Sequence, residues 1–280
     1  MTERPDIQVS LIMLEEKKAS IEFNGEELHF STGKLAPKAD STVKVQLGET
    51  VVLAIVTVDK ADTSLDYFPL SVEYIEKFYA GGVISGSRFV KRERRPSDDA
   101  VLKARQVDHS IRSLFPKGFK KAVSVVITVL SYDEVHDPAD LAVTAASSAL
   151  MLSSVPFNGP SAGVSVGIAE DESFILNPKD GESEEEGLKG HYIVSLKESN
   201  VLNIEGYSDQ VSEEKMGEML DFAAESVKPL LEVQNKLAEK ADKEKMEFEE
   251  KPVSEEVLKK VEEGYGTEID EALYQDDRRD

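Results

Sequence analysis

Two unbroken apolar runs of strand length set the first constraint on this chain. Residues 50–58 and 122–130 are rich in Val and break only for Thr, Ala or Ser. A strand exposed on one face alternates apolar with polar residues, so a continuous run of this length reads as a strand buried within a sheet. The fold therefore has to be built around central strands. Flanking segments supply the partners. Ala19 to Phe30 carries Asn24-Gly25 between two short strand patterns, and Asn-Gly suits a type I′ hairpin turn. Val43, Val45 and Leu47 alternate with polar residues, as do Phe68, Leu70, Val72 and Tyr74.

Helical segments interrupt the strands. Pro96-Ser97-Asp98-Asp99 opens one, with Ser97 as N-cap and two acids where the helix dipole favours them. Val101, Leu102, Val107 and Ile111 supply its apolar positions. Asp137-Pro138 starts a second helix that runs to about residue 153, and its small residues imply close packing. Residues 156–160 stop it. Strands are expected at 163–169, 174–176, 192–196 and 201–204. From residue 212 the spacing of Met216, Met219, Leu220, Ala223, Val227 and Leu231 is helical, and Pro229 is expected to kink or end that helix. Val257, Leu258, Val261 and Tyr265 predict one more short helix. The reading is an α+β domain over residues 1–230 and an α-helical segment over 231–280.

Composition excludes several functions. The chain has 280 residues, enough for a sizeable core, and no Cys, which removes disulfides, thiolate catalysis and Cys-ligated zinc. The charged N-terminal residues do not read as a signal peptide, and no apolar run reaches the roughly 20 residues that span a bilayer. The expectation is a soluble, cytoplasmic protein without a membrane partner.

The net charge of -22 argues by itself against a polyanionic partner, but the charge is uneven. Residues 212–280 hold 22 acidic and 11 basic side chains. Residues 88–121 hold 11 basic and 4 acidic side chains, a net of +7. Screening cuts off distant charge within about 10 Å at moderate salt, so a local basic patch can hold phosphates on an acidic protein. Within it, the run from Arg88 through Phe89, Lys91, Arg92 and Arg94 to Arg95 combines guanidinium and ammonium groups with an aromatic face, the combination that grips single-stranded RNA. Arg105, His109 and Arg112 are spaced to share one helix face. Composition alone leaves a solvated charged surface equally open.

Several segments, taken in order, carry a resemblance. Residues 67–74 (YFPLSVEY), 100–105, 111–119 (IRSLFPKGF) and 155–160 (VPFNGP) resemble the first RNase PH-like domain of bacterial polynucleotide phosphorylase. The likeness runs over about residues 5–230, and a weaker match continues into that family's helical linker domain. It implies an RNase PH-like fold of the ribosomal protein S5 domain 2-like class. In the family, the loop matching Phe89 to Arg92 lines the entrance for RNA. This chain departs from the family pattern: Val90 replaces a second Phe, Arg88 is an insertion, Arg94 stands where Gly is usual, Val83 stands where a basic residue is usual, and His109 replaces an arginine. Arg105 and Arg112 match family arginines.

The family's catalytic signature, an acid and a lysine just before a strand, is missing. His191 stands where active copies place the acid and Ile193 where they place the lysine. The resemblance therefore implies no catalytic residue, no metal ligand and no cofactor in this segment, with Mg2+ and phosphate expected at a separate catalytic RNase PH-like domain. Ser147 and Ser148 echo phosphate-binding serines of active copies, although buried helical serines are commoner. Asp137 and Asp140 fit the start of a helix better than a metal site, and Glu184-Glu185-Glu186 a solvated loop. The expected function is the RNA-binding, ring-forming half of a phosphorolytic 3′–5′ exoribonuclease in mRNA degradation, working as a homotrimer. The alternatives are an inactive accessory subunit of an exosome-type ring, and an acidic scaffold without RNA contact.

Overall fold

The computed structural model describes residues 15–62, 64–65, 67–83, 95–179, 187–241, 243–247 and 254–274. A six-stranded sheet contains β1 (Lys17–Phe23), β2 (Glu26–Thr32), β3 (Ser41–Leu47), β4 (Thr50–Asp62), β5 (Leu70–Ile75) and β6 (Lys121–Ser131) in the order β1-β2-β3-β4-β6-β5. A four-stranded sheet contains β7 (Ala162–Ile168), β8 (Phe174–Leu176), β9 (Gly190–Lys197) and β10 (Asn200–Ser208) in the order β10-β9-β7-β8. Neighbouring strands are antiparallel except β5 and β6, which run parallel. The helices are α1 (Asp98–Arg112), α2 (Pro138–Leu152), α3 (Glu213–Ala241) and α4 (Glu255–Leu273).

The two Val-rich runs become β4 and β6, paired side by side at the centre of the larger sheet. The β1–β2 hairpin turns at Asn24 (φ 51°) and Gly25 (φ 80°), the two left-handed residues a type I′ turn requires. The parallel β5 has to cross over to reach β6, and α1 lies in that connection.

α2 is the middle layer. It packs against β3, β4 and β6 on one side and β7 on the other. Fourteen of its 15 residues are buried, which is possible only for a helix enclosed on all sides. Its Ala and Ser side chains let the two sheets approach. Gly163 on β7 belongs to the same fit, since a Cβ there would lie 3.0 Å from the Val143 Cβ.

Pro229 does not end α3, which runs on to Ala241. An interior proline costs a helix about 3 kcal/mol. Here Val227, Leu230, Leu231, Val233 and Leu237 are buried on both sides of it. Each such side chain contributes about 1.5–3 kcal/mol, so packing outweighs the lost hydrogen bond. The division expected at residue 230 falls inside this helix. The chain stays on the body to residue 246, where the Met246 N–H donates to the Ser154 carbonyl at 2.7 Å and Lys245 Nζ donates to the carbonyls of Leu150, Met151 and Ser153 at the end of α2. α4 buries none of its residues. No helix among the described residues is long and apolar enough to cross a membrane.

Candidate nucleic-acid interface

α1 begins where the sequence places it. The Ser97 Oγ accepts from the Ala100 N–H at 3.0 Å, and Asp98 and Asp99 fill the first turn. Ala100, Gln106, Val107, Ser110 and Ile111 form the buried face, against β5, α2 and β10. Ser110 Oγ donates to Ser195 Oγ of β9 at 2.8 Å, fastening the helix to the smaller sheet. Val101 and Leu102, expected on the apolar face, are 46% and 60% exposed. The apolar stripe of this helix is Ala100, Val107 and Ile111, and the neighbouring Val101 and Leu102 are rotated off it.

Of the eight basic, histidine and aromatic residues expected to touch RNA, Phe89, Lys91, Arg92 and Arg94 lie outside the described residues. The other four have distinct surroundings. Arg95 and Arg105 are exposed, and neither has an ion-pair partner among the described residues. His109 is exposed, with Nδ1 3.9 Å from Glu205 Oε1 on β10. Arg112, also exposed, is hydrogen-bonded within the fold. Its Nε and Nη2 donate to the Asp108 carboxylate at 2.9 and 2.7 Å, and Nη1 and Nη2 donate to the Phe68 and Leu70 carbonyls at 3.3 and 3.2 Å. These contacts occupy four of the five guanidinium N–H groups and tie the end of α1 to the start of β5. Among the described residues Arg105 thus has no ion-pair partner, while Arg112 is tied into the fold.

Sequence reasoning missed Lys103, which counted only as one more positive charge. Its Nζ lies 3.0 Å from Asp99, 3.2 Å from Glu76 and 3.9 Å from Asp137. Burial works against its charged form, but the Asp137, Asp99 and Glu76 carboxylates outweigh that and hold its pKa above the ordinary lysine value. Sequence reasoning also did not single out Tyr79. It is 57% exposed on a 3-10 helix (Phe78–Gly81) that precedes the basic run.

The sequence motifs meet in space. The Phe68 ring packs on Phe115 (4.6 Å between centroids) and Phe119 (5.8 Å), and Phe115 packs edge-on to Phe157 (5.3 Å). The Asn158 N–H donates to the Leu114 carbonyl at 2.8 Å. Segments far apart in sequence thus build one aromatic cluster beneath the C-terminal end of α1.

Comparison with known proteins agrees with this construction. Residues 25–156 match the family model described as RNase_PH, 3′ exoribonuclease family, domain 1. The chain carries an RNase PH domain. Over 264 residues it is 40% identical to the polyribonucleotide nucleotidyltransferase of Pelagibacter ubique, covering 94% of this chain and 38% of that protein. Over 247 residues it is 41% identical to the protein of the same name from Geotalea uraniireducens, covering 88% of this chain and 35% of that one. For Thermus thermophilus the figures are 42% over 222 residues, 79% and 31%. This chain therefore spans a little over a third of the first two relatives. In structure it is similar to rice (Oryza sativa) Rrp46, with a TM-score of 0.60, 15% identity, and 81% of this chain and 95% of that chain covered. At that identity the likeness concerns the fold alone.

The described residues that sequence reading weighed for chemistry have structural partners. His191 and Ile193 sit on β9, paired across the ladder with Tyr207 and Glu205. Among the described residues no group of three or more His, Cys, Asp or Glu is arranged to hold a metal ion. Ser147 is fully buried and its Oγ accepts from the Ser161 N–H at 2.8 Å. Ser148 Oγ donates to the Thr144 carbonyl at 2.7 Å. Asp137 caps α2 through the Ala139 N–H at 2.8 Å, and Asp140 accepts from Ser165 Oγ at 2.9 Å. Glu184, Glu185 and Glu186 lie outside the described residues.

Proposed function

We propose that this chain is the RNA-holding, ring-forming half of a cytoplasmic phosphorolytic 3′–5′ exoribonuclease that acts in mRNA degradation. Arg95 and Arg105 grip phosphates, and Tyr79 offers a face on which a base can stack. Chemistry belongs to a second RNase PH-like domain, where Mg2+ and phosphate act, and the working assembly is a trimer. The observation that carries this reading is the contrast within one fold. Arg95 and, on α1, Arg105 are exposed with no ion-pair partner among the described residues, whereas β9 carries His191 and Ile193 in place of an acid and a lysine.

The test uses the full chain with a fluorescent 3′-tailed RNA, Mg2+ and inorganic phosphate. Binding with a steep salt dependence and no release of nucleoside diphosphates supports the reading. Sustained release of nucleoside diphosphates overturns the assignment of chemistry elsewhere. Absence of any RNA binding at low salt overturns the RNA-holding role and leaves an acidic scaffold.

A further inference from the structure

Two described stretches, called stems below, flank residues 84–94 in the chain. The first is the end of β5 with the 3-10 helix Phe78–Gly81, and the second is Arg95 with the first turns of α1. A cleft of about 380 Å3 lies between the first stem, Lys103 of α1 and the start of α2 at Asp137 and Pro138, with Val129 and Tyr132 in its wall. The first stem is fastened below, where the Tyr132 N–H donates to the Ala80 carbonyl at 2.9 Å. The second is fastened by the Ser97 cap and the buried face of α1.

Lys103 bridges the two. Its ammonium takes Glu76 from the first stem, Asp99 from the second and Asp137 from the start of α2. It also lies 5.6 Å from the centroid of the Tyr74 ring on β5. The side chain is 21% exposed, so its charge is poorly placed to reach a phosphate outside. One cation that satisfies carboxylates from three elements fixes their separation, since removing it leaves those carboxylates crowded and mutually repelling.

We propose that Lys103 is a positioning residue for RNA: it sets the distance between the two stems and so the geometry in which the arginines meet the strand, without touching RNA itself. The inference rests on the RNA-holding role above. Three features separate it from a phosphate contact: the side chain is mostly buried, its partners are already carboxylates, and it lines the cleft.

The experiment compares wild type, Lys103→Met, Lys103→Arg and Arg105→Ala in two measurements. The first is RNA affinity as a function of salt. Lys103→Met is expected to bind roughly 5–10-fold more weakly with an unchanged slope, because preorganisation is lost while the number of neutralised phosphates is not. Arg105→Ala is expected to lower the slope by about 1, the mark of a lost phosphate contact. Lys103→Arg, which still reaches the carboxylates, is expected to keep most of the affinity. The second measurement is amide hydrogen exchange without RNA. Lys103→Met is expected to speed exchange in residues 78–83 and 98–102 while β4 and β6 stay protected. If Lys103→Met does not fold, Glu76→Gln removes one arm of the bridge and is expected to give the same pattern, smaller. A slope that falls by about 1 in Lys103→Met makes Lys103 a phosphate contact and overturns the proposal. Unchanged affinity, or unchanged exchange in the stems, overturns it too. If wild type binds no RNA, the RNA-holding role fails, and the exchange measurement alone decides whether Lys103 sets the stem spacing.

Discussion

α1 and α2 are both 15 residues long, and each opens with a side chain that caps its first turn, Ser97 in one and Asp137 in the other. Their surroundings differ. α2 is enclosed between two sheets, and α1 lies over the edge where β5 and β10 meet it, with one face open. The same residue types therefore mean different things on the two helices. Ser147, Ser148 and Asp140 on α2 are buried and serve packing and hydrogen bonds inside the fold. Arg105 on α1 is exposed, with no ion-pair partner among the described residues. A polar side chain in this molecule can be read as a ligand-binding group only once its layer is known.

The comparison predicts unequal tolerance to change, and the core of α2 carries the largest effect. Leu150 is fully buried between the sheets. Leu150→Ala should cost about 2–5 kcal/mol, read from urea unfolding, because the middle layer cannot collapse onto the cavity without moving a sheet. A loss below about 1 kcal/mol would mean that α2 is loosely packed and that the contrast with α1 is overdrawn.

Within α1, Arg105 and Arg112 should separate. Arg112→Ala removes the bonds to Asp108, Phe68 and Leu70 and should destabilise by about 1–3 kcal/mol, with little change in the salt dependence of RNA binding. Arg105→Ala should change stability by no more than about 0.5 kcal/mol while weakening RNA binding. Equal effects of the two substitutions on the salt slope would return Arg112 to the RNA surface.

The approach to α2 should be acid-sensitive. Burial opposes ionisation of Asp133, but hydrogen bonds from the His136 ring and backbone, the Val135 N–H and the Thr50 hydroxyl outweigh it and hold the carboxyl well below the usual range. The unfolded chain then binds the proton at a higher pH than the folded one does. The stabilisation is complete above about pH 5 and is lost as pH falls below the ordinary aspartate value of roughly 4. Asp133→Asn should therefore lower the melting temperature at pH 7 and flatten its decline between pH 5 and 2. An unchanged acid limb would show that other carboxylates dominate.

These differences also explain what could be read in advance. Asn24-Gly25, the Ser97 and Asp137 caps, and the Val-rich runs of β4 and β6 are local signals, each decided by a few neighbouring residues, and the structure has them all. Pro229 could not be read locally, because its tolerance depends on the bodies of α2 and the smaller sheet, against which α3 packs. Lys103 depends on Glu76 and Asp137, 27 and 34 positions away in the chain, which no helical spacing brings together. The Arg112–Asp108 pair, by contrast, is an i, i+4 arrangement that the sequence displays openly.

The smallest expected effect concerns Leu102, which a pattern of apolar positions assigns to the core and which is 60% exposed. An exposed leucine on a helix loses little when replaced by another good helix former, since neither burial nor propensity changes much. Leu102→Gln should shift stability by no more than about 0.5 kcal/mol in urea unfolding. If it instead costs as much as a core substitution, this face of α1 is covered in the working assembly, and the contrast between an open α1 and an enclosed α2 would hold only for the isolated chain. Measuring the same variant at two protein concentrations separates these cases, because a penalty that grows with concentration requires a second molecule on that face.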